Sequence, residues 1–464
     1  MNAVPFLPGT RPGRFGYWNP PFVVTVVLMM FVIARYMQWG ARRDILATIR
    51  IEFLMGIGLT IASIVYLQSA PLNLGRLPGT KRVILAISLL FLCMIIQLPL
   101  AAAPDLAWTV FFDRVIKFAM LTLFIAVLVR SPDGVRAFLF AFILGCFYVT
   151  QESARGAFSG GLIWENQGIM RLHGAVPIYR HPNSLAGVAM GVVPFIAFLL
   201  PAVKSRLWQL ALLPPLATSL VCLLYSGSRT GYVAFFSFMV YWWLQSRRKL
   251  RWILVAGLIG AAAVPILPEQ YIGRFKSIGG EEAEGNSKEK RVEILEDAVA
   301  IFMKNPLGVG VASFPEVRKQ MFGRSQDTHN LYLEVATNLG IQGLVVFFFL
   351  IYAMLSSLKR VQRRFEQLAG RSTRAIQRGR PDRRQRAWLE RSQRDAVFLR
   401  SATQATAGFL WVRLALGLFG MDLYEVYWWF AAGLTISLDL VAHSMSRSFA
   451  KTVPAIPALA ENSR

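Results

Sequence analysis

His329 is one of four histidines in a chain of 464 residues. It stands in the stretch Asp327-Thr328-His329-Asn330. A neutral imidazole that faces water can take a proton from a hydroxyl group. Arg171, Arg180, Arg229 and Arg291 all fall near the edges of apolar segments or in the segments between them. A guanidinium presents a planar fork that meets two phosphate oxygens at once. A base candidate beside several such cations is the set needed to hold a diphosphate and work on a sugar. The leaving diphosphate departs without protonation if cations meet its growing charge, and one base on the acceptor hydroxyl then suffices.

These residues need elements to hold them. Leu331, Val335 and Leu339 recur at helical spacing, which predicts a helix with His329 at its N-terminal end. Gly340 and Gly343 then admit a tight turn or close helix contact before the apolar run from Leu344. The chain is 55% hydrophobic and 16% charged, a balance that excludes an ordinary soluble domain and fits a multi-span membrane protein. The expected fold class is all-α: a single polytopic membrane domain over 1–464 with about 12 spanning helices. The spans fall near 21–39, 50–69, 83–102, 112–130, 135–152, 183–202, 206–225, 230–246, 251–267, 341–358, 402–420 and 424–444.

The net charge of +24 sits in short basic clusters between apolar runs. That is the positive-inside pattern, and it places both termini in the cytoplasm. Arg42, Arg43 and Arg50 conflict with this topology and are read as interfacial. The first apolar run is too long for a cleavable signal. The basic run 359–400 is read as a cytoplasmic loop resting on anionic membrane lipids. It carries few aromatic residues for base stacking, so nucleic acid is not an expected partner. Cys93, Cys146 and Cys222 lie within apolar runs and show no metal or disulfide spacing.

Two outer loops are long, at about 153–182 and 268–340. The second contains a Gly/Glu-rich linker, Gly279 to Gly285, and then an amphipathic helix with Ser287 as N-cap. Its expected apolar stripe is Val292, Leu295, Val299 and Phe302, and Asn305-Pro306 stops it. On this topology His329 with Asn330, Ser228 with Arg229, and Arg291 all face outward. So do Arg171, Arg180, His181 and Asn183 at the end of the first loop, and Lys117 near the outer end of the fourth span. Asp113 and Lys117 are spaced to pair with each other.

The ordered set of these motifs resembles the bacterial O-antigen ligase family, within the O-antigen ligase and polymerase group of membrane glycosyltransferases. His329-Asn330, nine residues, then Gly340-x-x-Gly343 is similar to that family's His-[Asn/Ser/Gln]-x9-Gly-x-x-[Gly/Thr] signature. Ser228-Arg229 resembles its outward-facing Ser-Arg. Arg291 followed by Asn305-Pro306-Leu307-Gly308-Val309-Gly310 resembles its loop pattern, and Pro182-Asn183 with Ala186 resembles the opening of its next core helix. The resemblance covers roughly 165–355. It implies a GT-C-type architecture with a large periplasmic loop over a cavity, in the bacterial inner membrane, with the active site facing the periplasm. It further implies inverting transfer, without metal or other cofactor, of a glycan from undecaprenyl pyrophosphate to an acceptor hydroxyl. His329 would activate or position that hydroxyl, and Arg229 and Arg291 would bind the donor pyrophosphate. The acceptor is lipid A–core for a ligase and another lipid-linked repeat for a polymerase. A transporter of lipid-linked or polymeric glycan is the rival from another class; the gathering of cations at the outer lip rather than the midplane speaks against it.

Overall fold

Apolar segments with no water to bond their peptide groups must satisfy them internally, and they do so here as helices. The protein is described by a computed structural model at residues 19–72, 75, 77–166, 169–246, 249, 272–273, 287–379 and 381–452. Its principal helices are α1 (Phe22–Met37), α2 (Ile51–Ser69), α3 (Pro78–Gln97), α4 (Lys117–Leu128), α5 (Pro132–Ser159), α6 (Pro182–Leu199), α7 (Arg206–Tyr225) and α8 (Arg229–Gln245). They continue as α9 (Ser287–Lys304), α10 (Phe314–Phe322), α11 (Leu331–Arg378), α12 (Arg383–Leu416) and α13 (Val426–Thr452). The expected spans fall on helices, except 251–267, which lies outside the described residues. By length and composition six described helices can cross a membrane: α2, α3, α5, α6, α7 and α11. α1 is shorter, at 16 residues, and α4 has 12 and is preceded by a π-helical turn, Phe111–Ile116.

α6 is the centre of the bundle. Prolines suit the first turn of a helix, and Pro182 starts this one. Nearly every residue from Leu185 to Leu199 is buried, as expected of a helix that is apolar all round. It packs against α5, α7, α8 and α12.

The segment after α5 folds differently from the all-helical expectation. α5 runs on to Ser159, and a two-stranded antiparallel hairpin follows, β1 (Ile163–Asn166) and β2 (Ile169–Leu172). Arg42, which conflicted with the charge rule, forms a two-pronged ion pair with Glu152 of α5, both bonds at 2.7 Å, and stacks over Tyr148. Its charge is therefore spent on a protein partner.

The basic segment 359–400 is not a loop but most of a helical hairpin. Leu358, Val361, Phe365, Leu368, Ser372 and Ala375 of α11 are buried, as are Leu389, Ser392, Ala396 and Leu399 of α12. Both sets alternate three- and four-residue steps, the spacing of a coiled-coil seam. The turn between them is fixed by Asp382, whose carboxylate accepts from the Gln385 N–H at 2.8 Å while the Gln385 side chain accepts from the Asp382 N–H at 3.1 Å.

The amphipathic reading of α9 also needs correction. The buried face is Ile294, Asp297, Ala298 and Ile301, whereas the expected stripe residues Val292 and Val299 are 47% and 49% exposed. Asp297 turns inward because Arg318 and Arg324 satisfy it, with Nε bonds of 2.8 and 3.0 Å. Counting an aspartate as a surface residue put the stripe on the wrong side. The Ser287 cap and the Gly279–Gly285 linker lie outside the described side chains.

The candidate active site

The site is built around a break in α11. Gly340 has φ 72° and ψ −170°, which interrupts a helix otherwise continuous from Leu331 to Arg378. The break frees backbone groups, and the loop Pro306–Gly310 takes them up. Val309 and Gly310 donate N–H bonds to the carbonyls of Thr337 and Asn338, at 2.9 and 3.1 Å, and Ile341 donates to Pro306 at 2.9 Å. The Leu307 carbonyl accepts from Gln97 and Gln342. The backbones are so close that a Cβ on Gly340 would lie 2.3 Å from the Leu307 carbonyl carbon. The Asn305–Gly310 motif thus clips the α9–α10 pair onto the short helical segment that begins just after His329.

That segment starts sharply. The Asn330 side-chain oxygen accepts from Tyr332 and Leu333 N–H groups at 3.0 and 3.1 Å, and its amide donates to the Leu418 carbonyl at 3.2 Å. His329, one residue earlier, has φ 46°. A non-glycine residue in the left-handed region stores strain and is found disproportionately at functional positions.

His329 opens into a cavity of about 530 Å³ shared with His181, Asn183, Arg35, Arg114 and Arg413. First-turn residues of three helices line it: Asn183 and Ser184 of α6, Thr230 of α8, and Val426 and Tyr427 of α13. His329 borders the start of a fourth, α11. Helix N-termini carry partial positive charge and unpaired N–H groups, so four of them around one cavity favour an anion even before side chains are counted.

Both imidazoles are shifted toward the neutral form. Burial pushes the His329 pKa below its ordinary 6.5; the Arg291 and Arg318 charges act in the same direction and Asp327 opposes. His181 is likewise lowered, by burial first and then by Arg171 and His329. Burial raises Asp327, against the pull of His329 and Arg114.

The other sequence-derived candidates divide into cavity and support. Arg229 is the half-buried first residue of α8, beside the cavity-lining Thr230, and the Ser228 hydroxyl before it caps the helix by accepting from Gly231 at 3.1 Å. Arg291 is exposed on α9, and its charge reaches His329. Arg171 is buried and braces the lip: its Nε donates to the Ser226 carbonyl at 2.7 Å and Nη2 to the Asn183 side chain at 2.8 Å. Asn183 itself lines the cavity, and its N–H donates to His181 Nδ1 at 3.2 Å. Arg180 lies over the Trp164 ring of the β-hairpin. Lys117 pairs with Asp113 at 2.7 Å and lines a neighbouring cavity rather than that of His329.

Sequence reading passed over Arg35 and Arg413 and left Arg114 out of the candidate set. Arg413 is 2% exposed, lies 3.3 Å above the Tyr427 ring and donates to the Gly187 carbonyl at 2.8 Å. Arg114 lies on the π-helical turn and pairs with Glu425 at 2.8 Å. The signal was present: Arg35 and Arg413 interrupt apolar segments, and an ionisable residue there is costly unless it serves a site. Among the described residues no group of three or more His, Cys, Asp or Glu side chains could hold a metal ion.

An all-α integral membrane protein with a polar, cation-lined cavity at one end of its bundle is the class these features define. Residues 214–348 match the model of the Wzy_C family, O-antigen ligase. The matched residues include Arg229, Arg291, the Asn305–Gly310 loop, His329 and Gly343, whereas Arg171, Arg180, His181 and Asn183 precede them. A search of curated proteins gives no match. The family supports a function of the O-antigen ligase or polymerase type on lipid-linked glycans.

Proposed function

We propose that the protein is an O-antigen ligase-like glycosyltransferase acting at the periplasmic face of the bacterial inner membrane. It moves a glycan from undecaprenyl pyrophosphate to an acceptor hydroxyl of lipid A–core. The observation that carries this reading is the strained His329 opening into a cavity bordered by helix N-termini and arginines, inside the family's matched region. The acceptor oxygen attacks the anomeric carbon from the side opposite the diphosphate, so configuration inverts. The bond from that carbon to the diphosphate oxygen breaks as the new one forms. The hydroxyl proton passes to the neutral His329 imidazole, and the released diphosphate carries away the electron pair. Arg229, Arg291 and the helix N-termini meet its charge, so the transfer is metal-independent. A second reading uses the same donor grip to extend another lipid-linked repeat, and the long basic α11–α12 hairpin favours it as a feature beyond a compact ligase.

The deciding assay offers the solubilised protein a lipid-linked glycan with EDTA present and two acceptors in parallel. Product on lipid A–core establishes the ligase, and a ladder of lengthened repeats establishes the polymerase. No product on either acceptor from folded protein overturns both.

Two substitutions test the division of labour. Arg229→Lys keeps the charge but loses the fork, and it should weaken donor handling by about 1–3 kcal/mol. Unchanged donor affinity and rate would make Arg229 a headgroup anchor. Arg291→Gln removes a charge that disfavours the His329 imidazolium. The wild-type base is neutral above its lowered pKa, so activity persists below pH 6.5 and falls only as pH drops through the lowered pKa. In the variant the pKa rises toward its ordinary value, and the acid limb of kcat/KM should move to higher pH. A stationary limb would disconnect Arg291 from the base.

A further inference from the structure

A second cavity, of about 850 Å³, lies between α5, α7 and α12 at the other end of the bundle. α6 connects the two: His181 precedes its first turn at the His329 cavity, and Lys204 follows its last turn at the mouth of this groove. Its 18 residues span about 27 Å, close to the thickness of the hydrocarbon layer. The groove therefore opens on the opposite membrane face from the transfer site. Its walls are apolar, with Phe140, Leu144 and Trp208 exposed at 43%, 38% and 53%. Trp208 crosses Phe140 edge-on, with ring centroids 6.0 Å apart.

The mouth is charged and out of balance. Arg136, Arg391, Arg394 and Lys204 line it, against the carboxylates of Asp133 and Asp395. Arg136 bonds Asp133 at 2.7 Å and Asp395 at 2.5 Å, and Arg391 reaches Asp133 at 2.8 Å. Both carboxylates are thus neutralised, and the cationic excess stays at the lip, with Arg394 and Lys204 exposed there.

We propose that this groove binds one anionic glycerophospholipid of the leaflet opposite the transfer site. The acyl chains fill the apolar slot, which faces hydrocarbon, and the headgroup phosphate meets the cationic rim. The site rests on the membrane reading and is independent of the transfer reaction. It explains why a basic hairpin packs beside α5: α12 supplies Arg391 and Arg394 to the rim.

Native mass spectrometry of the full chain in detergent tests this, with dioleoyl-phosphatidylglycerol and dioleoyl-phosphatidylcholine offered in equal amounts. One phosphatidylglycerol per chain should be retained in preference. Lys204→Gln with Arg394→Gln should lower that retention about 25-fold, at about fivefold per cation removed. Leu144→Trp, which fills the slot and keeps the charges, should also expel the lipid. Equal retention of both lipids overturns the proposal. So does undiminished phosphatidylglycerol binding in either variant, or displacement of the lipid by glycerol phosphate, which has no chains. Unchanged elution volume and melting temperature establish that each variant is folded.

Discussion

Replacing His329 with alanine is expected to lower glycan transfer by about 10²–10⁴-fold while the melting temperature stays where it was. The structure separates the two effects. Among the described residues the imidazole makes one side-chain hydrogen bond, with Gln326 at 3.4 Å, and contributes nothing to the helix cap, which the Asn330 side chain forms. Alanine, like histidine, carries a Cβ at this left-handed angle, so the substitution retains the strain at φ 46° rather than introducing it. Lost activity in a folded variant therefore reports on proton transfer rather than architecture. The measurement is single-turnover transfer beside a thermal melt in the same detergent. Transfer at the normal rate in the alanine variant would remove the base from the mechanism.

Gly340→Ala is the second large effect, and it acts through the backbone. The φ of 72° costs a side-chain-bearing residue about 1–3 kcal/mol by itself. The added methyl would also strike the Leu307 carbonyl, its oxygen 2.5 Å away, so the loop that carries α9 must lift from the break. Gly323 provides the control. It has φ 71°, and a Cβ there meets nothing within 4 Å. Gly323, at ψ 10°, lies in the ordinary left-handed region, so Gly323→Ala should show that cost alone. Gly340, at ψ −170°, lies in a region that is essentially glycine-only, so Gly340→Ala should add that larger conformational cost and the Leu307 clash, giving a clearly larger fall in melting temperature together with lost transfer. Equal shifts in the two variants would mean that the Pro306–Gly310 loop does not depend on the break.

Much of this arrangement could be read from the chain. Asn330 announces the start of a helix, Gly340 its interruption, and Pro182 the beginning of the central span, because caps, glycines and prolines act within a few residues of themselves. What escaped depends on partners far along the sequence. Asp297 is buried only because Arg318 and Arg324 come to it, so the face of α9 could not be chosen from α9. The basic run 359–400 conceals a heptad seam that becomes visible only when its two halves are set against each other. The shared cavity is harder still, since α6, α8, α11 and α13 each look like an ordinary span, and their common end is a property of packing. His329, His181 and Asn183 were read as contributions of single elements; Arg35, Arg114 and Arg413, and the meeting of them all, were not.

The convergence of helix starts has a consequence for how this protein tolerates mutation. The positive ends of α6, α8, α11 and α13 belong to the main chain, so no side-chain replacement deletes them. A change at one arginine removes one part of the cavity's field and leaves the rest in place. Inserting or deleting a single residue within a first turn is another matter. It rotates everything beyond by about 100° and carries that helix end away from the cavity. Substitution of any one of the lip's arginines should accordingly be partly buffered, unlike substitution of His329 or Gly340, whereas changes in segment length there should be purged. The anion-binding field at this lip is thus partly protected against spelling errors among its cations and exposed to errors of counting.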